Sequence, residues 1–102
     1  MTFRFAPGAR SELFALADWY DAQLAGLGER LSTEFDNVLR RVLVTPRIYG
    51  RVAHAPRGRE VRVALVCPFL VLMTYEVTLT DIIILSVTHA RSVRRPWRRR
   101  LG

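Results

Sequence analysis

The sequence predicts an α+β domain in the element order β-α-α-β-β-β, with a helical hairpin packed on an antiparallel sheet. Three observations lead to this prediction. Apolar residues recur three and four positions apart in the first half of the chain, the interval changes to two after a loop rich in proline and glycine, and only a few residues connect the two helical stretches. With 102 residues the chain has the length of a single domain.

The first half is predicted to form one strand and two helices. Residues 2–6 alternate phenylalanine with polar neighbours, which predicts a short strand that ends at Pro7. Apolar side chains then recur at helical intervals over residues 9–25, and glycines at 26 and 28 break this helix. A second apolar stripe consists of Leu31, Phe35, Val38, Leu39 and Val42. Because the connection is so short, we expect the two helices to be antiparallel.

The second half is predicted to form three strands. Residues 46–58 contain two prolines and two glycines and form a loop. Residues 61–65 alternate in hydropathy, as a strand with one buried face does. Residues 69–77 are nearly all apolar, so we expect this strand to be buried on both faces. After a turn, residues 82–89 form the last strand.

The charge of the chain is concentrated at its C-terminal end. All 16 basic residues are arginine; residues 1–46 carry a net charge of −1 and residues 47–102 a net charge of +8. An arginine-rich half favours contact with nucleic acid or with an acidic protein surface. We therefore divide the chain into a domain over residues 1–91 and an arginine-rich arm over residues 92–102. Pro96 disfavours a helix through the arm, which we expect to be extended and to contribute little to the core.

Composition excludes several other classes of protein. The single cysteine, Cys67, excludes an internal disulfide and a four-cysteine zinc site, and we expect it to be a small buried residue. His54 and His89 do not have metal-ligand spacing, so we predict neither a metal nor a cofactor. The uncharged residues 63–75 are shorter than the roughly 20 residues that a membrane-spanning helix needs. Because residues 1–7 lack the apolar core of a signal peptide, we expect a cytoplasmic protein with no membrane partner.

Short motifs follow one another along nearly the whole chain. They are Phe5-x-Pro7-x-Ala9-x-x-Glu12-Leu13, Trp19-Tyr20, Gly26-Leu27-Gly28, Pro46, Arg62, Pro68-Phe69, Tyr75 and the run from Ile82 to Arg91. In these residues the chain resembles the ParE/RelE superfamily of small bacterial toxins, which includes plasmid stabilisation proteins. The resemblance implies a cognate antitoxin, encoded by an adjacent gene, that assembles with the toxin into a hetero-oligomer. RelE members cleave mRNA on the ribosome, whereas ParE members poison DNA gyrase.

A RelE-like mechanism would need a base for the 2′-hydroxyl, an acid for the leaving oxygen and cations on the phosphate. The residues that the chain could supply are His89, Arg62, Arg59, Tyr75 and Arg91. The chain has no lysine, and no tyrosine follows Tyr75. His89 also has the strand parity of Ile83, Leu85 and Val87, which is typical of a packed position. We therefore favour no residue as catalytic, and we expect the Tyr75 hydroxyl to satisfy a hydrogen bond at the sheet edge.

The first hypothesis is therefore a ParE-like gyrase inhibitor that is neutralised by its antitoxin and performs no chemistry itself. ParE members use their C-terminal segment against gyrase, and the corresponding target-binding candidates are Arg91, Arg94, Arg95, Trp97, Arg98 and Arg99. Trp19 and Tyr20 are the candidates for antitoxin binding. One alternative is a RelE-like ribosome-dependent mRNA endoribonuclease. A second alternative is a non-toxic relative that is kept as a partner-binding module.

Overall fold

The structure, a computed structural model, describes residues 1–92 and 94–101; Val93 and Gly102, both in the predicted arm, lie outside the described residues. It confirms the predicted class and order and adds a short C-terminal helix. The elements are β1 (Thr2–Phe5), α1 (Ala9–Gln23), α2 (Leu27–Val44), β2 (Glu60–Val66), β3 (Val71–Val77), β4 (Asp81–His89) and a C-terminal 3₁₀ helix (Pro96–Leu101). Within the described residues, no helix is long and apolar enough to cross a membrane.

The four strands form one sheet in the order β1-β4-β3-β2. Strands β2, β3 and β4 are antiparallel neighbours, as predicted. Strand β1 lies parallel to β4 and pairs with it from Thr2, opposite Asp81, to Phe5, opposite Ile84. The chain therefore begins at one edge of the sheet, and the helical hairpin carries it across one face to β2 at the other edge.

The main core lies between the helical hairpin and this face of the sheet. All five residues of the α2 stripe are buried there, which confirms the prediction from their spacing. They pack with Ala64 and Val66 of β2 and with alternate residues of β3, from Val71 to Val77. The remaining residues of β3 face the other side, and all but Leu72 are also buried, so the strand is covered on both faces as expected.

A carboxylate of α1 holds the start of α2. Asp21 Oδ1 accepts hydrogen bonds from the backbone N–H groups of Gly26, at 3.1 Å, and Gly28, at 2.8 Å. A side chain at position 28 could not be accommodated, because its Cβ would lie 2.4 Å from the carbonyl oxygen of Ala17. The helices meet closely only because this residue is glycine.

A β-bulge in β4 changes which of its residues face the helices. Thr74 pairs with Ser86 and Tyr75 pairs with Ile84, so Leu85 is an extra residue in the strand. Before the bulge, Ile84 points into the main core; after it, Val87 does. The strict alternation that placed His89 on the same face as Leu85 is therefore wrong, since Leu85 lies on the opposite face.

Two charged side chains bond to the backbone at this bulge. Glu12 of α1 accepts a hydrogen bond from the backbone N–H of Val87 at 3.0 Å, and the guanidinium of Arg100 donates to the carbonyl oxygen of Leu85 at 2.9 Å. Glu12 and Arg100 also form an ion pair with each other, with an N–O distance of 2.7 Å. This pair joins α1, β4 and the C-terminal helix. It lies next to Ile84, the last residue of β4 that pairs with β1.

The C-terminal segment is docked, and the prediction of an extended arm that contributes little to the core is wrong. Trp97 and Leu101 are 5% and 8% exposed and form a second, smaller core with Ala6, Val61 and Leu85 on the face of the sheet away from the helices. Arg59 also donates a hydrogen bond to the carbonyl oxygen of Leu101. Pro96 is compatible with this helix because it is its first residue, where the missing N–H needs no partner.

We predict that Trp97→Ala lowers the free energy of unfolding by roughly 3–5 kcal/mol, the range typical of a large aromatic side chain removed from a core. The matched control is Arg99→Ala, because Arg99 is an exposed residue of the same helix. Urea denaturation of the two variants and the parent measures the difference. Equal stability of the two variants would show that the C-terminal helix does not support the fold.

Candidate functional site

A cleft of about 280 Å³ opens on the face of the sheet away from the helices. Its floor consists of residues of the three antiparallel strands, namely Val63, Leu72, Thr74 and Thr88, together with Trp97. Its rim consists of Val52, Ala53 and His54 from the loop before β2 and of Arg94, Arg95 and Arg98 from the C-terminal segment. We call this site the basic cleft. It occupies the part of this face that the second core leaves open.

Local contacts hold two of the rim arginines. The guanidinium of Arg95 donates to the carbonyl oxygens of Ser92 and Arg94, both at 2.9 Å. The guanidinium of Arg98 lies over the indole of Trp97, 5.3 Å from the ring centroid, in the geometry of a cation–π interaction. Burial of Trp97 therefore fixes the position of Arg98 at the rim.

The rim arginines have no acidic partner among residues 1–92 and 94–101. The ion pairs in this part of the chain join Arg4 with Asp81, Arg47 and Arg62 with Glu60, Arg59 with Glu76, and Arg100 with Glu12. Arg94, Arg95 and Arg98 are exposed, and the residues that line the cleft include no carboxylate. The basic cleft is therefore electropositive and is suited to an anionic ligand.

His54, in the loop part of the rim, has an unusual backbone conformation. Its φ angle is +64°, in the left-handed region that side chains rarely adopt outside turns. Such a conformation persists where the surrounding structure enforces it, and it occurs often at binding sites. The sequence did not single out His54 for binding. The threonines among the apolar residues of β3 and β4 were the available signal for an open floor.

The structure separates the predicted target-binding residues. Arg94, Arg95 and Arg98 meet at the basic cleft, and Arg99 lies beside them in an adjoining groove. Trp97, one of the predicted target-binding residues, is buried, so it is a core residue that supports Arg98 rather than a surface that a target could contact. Arg91 lies elsewhere, next to α1.

A second surface depression, of about 400 Å³, lies on the helical side of the sheet. It is lined by Leu16, Trp19, His89 and Arg91, and we call it the Trp19 pocket. Trp19 is 55% exposed. Its indole meets the ring of Tyr20 edge to face at 5.0 Å, and the Tyr20 hydroxyl donates to the carbonyl oxygen of Phe69 at 2.6 Å. Tyr20 therefore holds Trp19 against the body of the protein, while Trp19 itself is accessible.

The candidate ribonuclease residues are not brought together. His89 pairs with Val71 in the sheet, whereas Tyr75 pairs with Arg62 four residues further along β3, a separation of roughly 13 Å along the strand. His89 is half-buried, and its Nδ1 accepts a hydrogen bond from the backbone N–H of Arg91 at 3.2 Å. One substrate phosphate could not contact both His89 and Tyr75 across this separation.

The strand arginines have structural partners. Arg62 donates to Glu60 at 2.8 Å and to the carbonyl oxygen of Tyr49 at 2.7 Å. Burial alone would raise the pKa of Glu60, but hydrogen bonds from Arg62 and Arg47 more than offset this effect, and the pKa lies below its ordinary value. Arg59 binds Glu76 through two nitrogens, and this hydrogen-bonded contact raises the pKa of Arg59. Both arginines are engaged by carboxylates of the sheet, Arg62 by Glu60 and Arg59 by Glu76.

Tyr75 and Cys67 differ in burial, since Tyr75 lies in the core and Cys67 at the surface. The Tyr75 ring is fully buried, and its hydroxyl donates to the carbonyl oxygen of Pro46 at 2.8 Å, which confirms the expected hydrogen bond. The expected position at the sheet edge is wrong, because β3 lies between β4 and β2. Burial raises the pKa of Tyr75 to about 12. Cys67 is exposed, and the expectation of a buried residue is wrong. It lies in the turn between β2 and β3, beyond the region that the core covers.

Comparison with known proteins identifies the fold. No family model and no curated protein matches the chain. A solved structure described as the chromosomal ParDE TA system from P. aeruginosa matches it with a TM-score of 0.64 over 89% of this chain and 97% of that chain. The chain has a ParE-like fold. The two sequences are 18% identical, so what this chain binds has to be argued from its own residues.

The buried phenol of Tyr75 leads to a prediction about stability at high pH. The pKa of Tyr75 is about 12 in the folded protein and about 10 in the unfolded chain. Its contribution to the free energy of unfolding is therefore complete below pH 10 and is lost as the pH rises through 12. We expect this free energy to fall more steeply between those pH values in the parent than in Tyr75→Phe, as measured by urea denaturation at each pH. Parallel pH profiles of the parent and the Tyr75→Phe variant would contradict the raised pKa of Tyr75.

Proposed function

We propose that this chain is the toxin of a type II toxin-antitoxin pair and that it inhibits DNA gyrase by binding, with a cognate antitoxin as its neutralising partner. The observation that carries the proposal is the electropositive cleft on a ParE-like fold, whose three rim arginines have no acidic partner among the described residues. Arginine is the residue best suited to grip carboxylates or phosphates of a macromolecular target.

Binding accounts for these residues better than RNA cleavage does. Arg59, Arg62 and Tyr75, three of the five candidate ribonuclease residues, are committed to Glu76, Glu60 and the carbonyl of Pro46. The rim arginines Arg94, Arg95 and Arg98 lie on the opposite face of the sheet from His89 and Arg91, the two remaining candidates. The three rim arginines supply the cations that can hold an anionic partner.

The Trp19 pocket supports the assignment of an antitoxin. It offers an exposed indole beside the aliphatic Leu16, with Arg91 and His89 at its border. A partner that fills it needs an apolar side chain at the centre and acidic groups around it, and the net charge of +7 favours a partner that is acidic overall. Tryptophan at the centre of such a patch is among the residues that most often dominate binding.

We predict that the parent protein inhibits gyrase supercoiling and that a triple Arg94→Gln, Arg95→Gln, Arg98→Gln variant inhibits at least tenfold less, since each lost bond to a charged group contributes on the order of 1 kcal/mol. The matched control is the triple Arg30→Gln, Arg40→Gln, Arg41→Gln, which removes the same charge from exposed positions on α2. Supercoiling assays over a range of toxin concentrations measure the difference.

Two outcomes would redirect the assignment. Cleavage of ribosome-bound mRNA that is abolished in a folded His89→Ala variant would favour the RelE-like endoribonuclease. Induced expression that leaves growth, supercoiling and mRNA all unchanged would favour the non-toxic partner-binding module.

The antitoxin assignment gives a separate prediction. Trp19→Ala should weaken binding of the neighbouring gene product by about 30-fold, the equivalent of 2 kcal/mol for a central interface tryptophan. Phe14→Ala is the control, because Phe14 is an equally exposed aromatic residue of α1 that does not line the pocket. Isothermal titration calorimetry measures both. If the Phe14 variant loses as much affinity as the Trp19 variant, the Trp19 pocket is not the centre of the interface.

A further inference from the structure

The floor of the basic cleft is aliphatic as well as open. Val63 of the edge strand β2 and Leu72 of β3 are only half-buried. Thr74 and Thr88 lie beside them and add methyl and hydroxyl groups to the floor. Val63 is paired with Thr74, and Leu72 with Thr88, so these four residues are direct neighbours across three strands. Such a floor is suited to an aliphatic side chain, which gains free energy by leaving water.

The cationic rim continues beyond the cleft. Arg94, Arg95 and Arg98 also line an adjoining groove of about 460 Å³, where Pro96 and Arg99 join them. The row of arginines is therefore accessible from two sides. A ligand that extends out of the cleft would meet a second set of guanidinium groups without leaving the arginine surface.

The floor distinguishes a peptide from a nucleic acid. Proteins that bind single-stranded nucleic acid stack its bases on exposed aromatic side chains. The aromatic residues of the cleft are His54, at the rim, and Trp97, which is 5% exposed and lies beneath the guanidinium of Arg98. The floor thus provides aliphatic contact where bases would need a stacking surface. An aliphatic side chain flanked by carboxylates matches both the floor and the rim.

We propose that the basic cleft binds an extended acidic segment of the target protein, with an aliphatic side chain of that segment on Val63 and Leu72 and its carboxylates on Arg94, Arg95 and Arg98. This inference rests on the proposed function, because it assigns the segment to the target. It specifies the chemistry of the contact, which is a leucine or isoleucine with aspartate or glutamate on either side.

The binding test uses the full chain and a fluorescein-labelled ten-residue peptide of aspartate and glutamate with one central leucine. We expect fluorescence anisotropy to show saturable binding that weakens about tenfold when glycine replaces the leucine, as loss of one buried aliphatic side chain predicts. Leu72→Ala should weaken binding of the leucine peptide to a similar extent, and Leu79→Ala, at a fully exposed turn residue, should leave it unchanged. Thermal melting of each variant ensures that folded proteins are compared.

A ten-nucleotide single-stranded DNA labelled in the same way tests the alternative ligand. The proposal predicts that Leu72→Ala weakens the peptide and leaves the weaker DNA binding unchanged, whereas an Arg95→Gln, Arg98→Gln variant weakens both. DNA that binds more tightly than the peptide, or a peptide whose affinity does not depend on leucine or on Leu72, would overturn the proposal.

Gyrase assays separate failure of this inference from failure of the proposed function. If the parent inhibits supercoiling and Leu72→Ala inhibits about tenfold less, both are supported. If Leu72→Ala inhibits as well as the parent, the cleft is not the contact and this inference is overturned, while gyrase inhibition stands. If the parent leaves gyrase unaffected but binds the peptide through Leu72, the gyrase assignment is overturned and the acidic-peptide site is retained.

Discussion

The Glu12 carboxylate is the constraint on which the arrangement of the other elements depends. It accepts a hydrogen bond from the β4 backbone at Val87 and pairs with Arg100 of the C-terminal helix, so one group on α1 fixes both a strand and the chain terminus. Arg100 in turn satisfies the carbonyl oxygen of Leu85. An unpaired backbone group at this half-buried position would cost on the order of 1–3 kcal/mol.

Glycine makes this contact possible. Gly8 has a φ angle of +90°, and a Cβ at this position would lie 2.7 Å from the guanidinium of Arg100. A side chain at residue 8 would be strained by this positive φ and would push the Arg100 guanidinium away from Glu12. Gly8 thus makes room for a contact between Glu12 and Arg100, which are 88 residues apart in the sequence.

The distribution of ion pairs explains how a charge imbalance in the sequence becomes a surface. The three acidic residues after position 46 are Glu60, Glu76 and Asp81, and all three form ion pairs with arginines of β1, β2 or the loop before β2. No carboxylate within the described residues pairs with Arg94, Arg95 or Arg98. Three of the arginines without an ion pair therefore meet at the basic cleft, while the Trp19 pocket on the other face of the sheet combines an exposed indole with Arg91. Two partners of different chemistry can be recognised on opposite faces of one sheet.

The sequence by itself determined the class, the element order and the buried stripe of α2, because hydrophobic periodicity reports which side of a helix is buried. The stripe from Leu31 to Val42 and the doubly buried β3 follow from it. It did not determine the facing of β2, where Ala64 lies in the main core and Leu65 is exposed.

Periodicity could not show the bulge at Leu85, since one inserted residue changes which face of the sheet the later residues point to without altering the composition. Nor could it show that an arginine-rich tail with a proline is docked. The second core and the site of Arg94, Arg95 and Arg98 depend on contacts of Trp97, Leu101 and Arg100 with residues far away in sequence, and such contacts exist only in the folded protein.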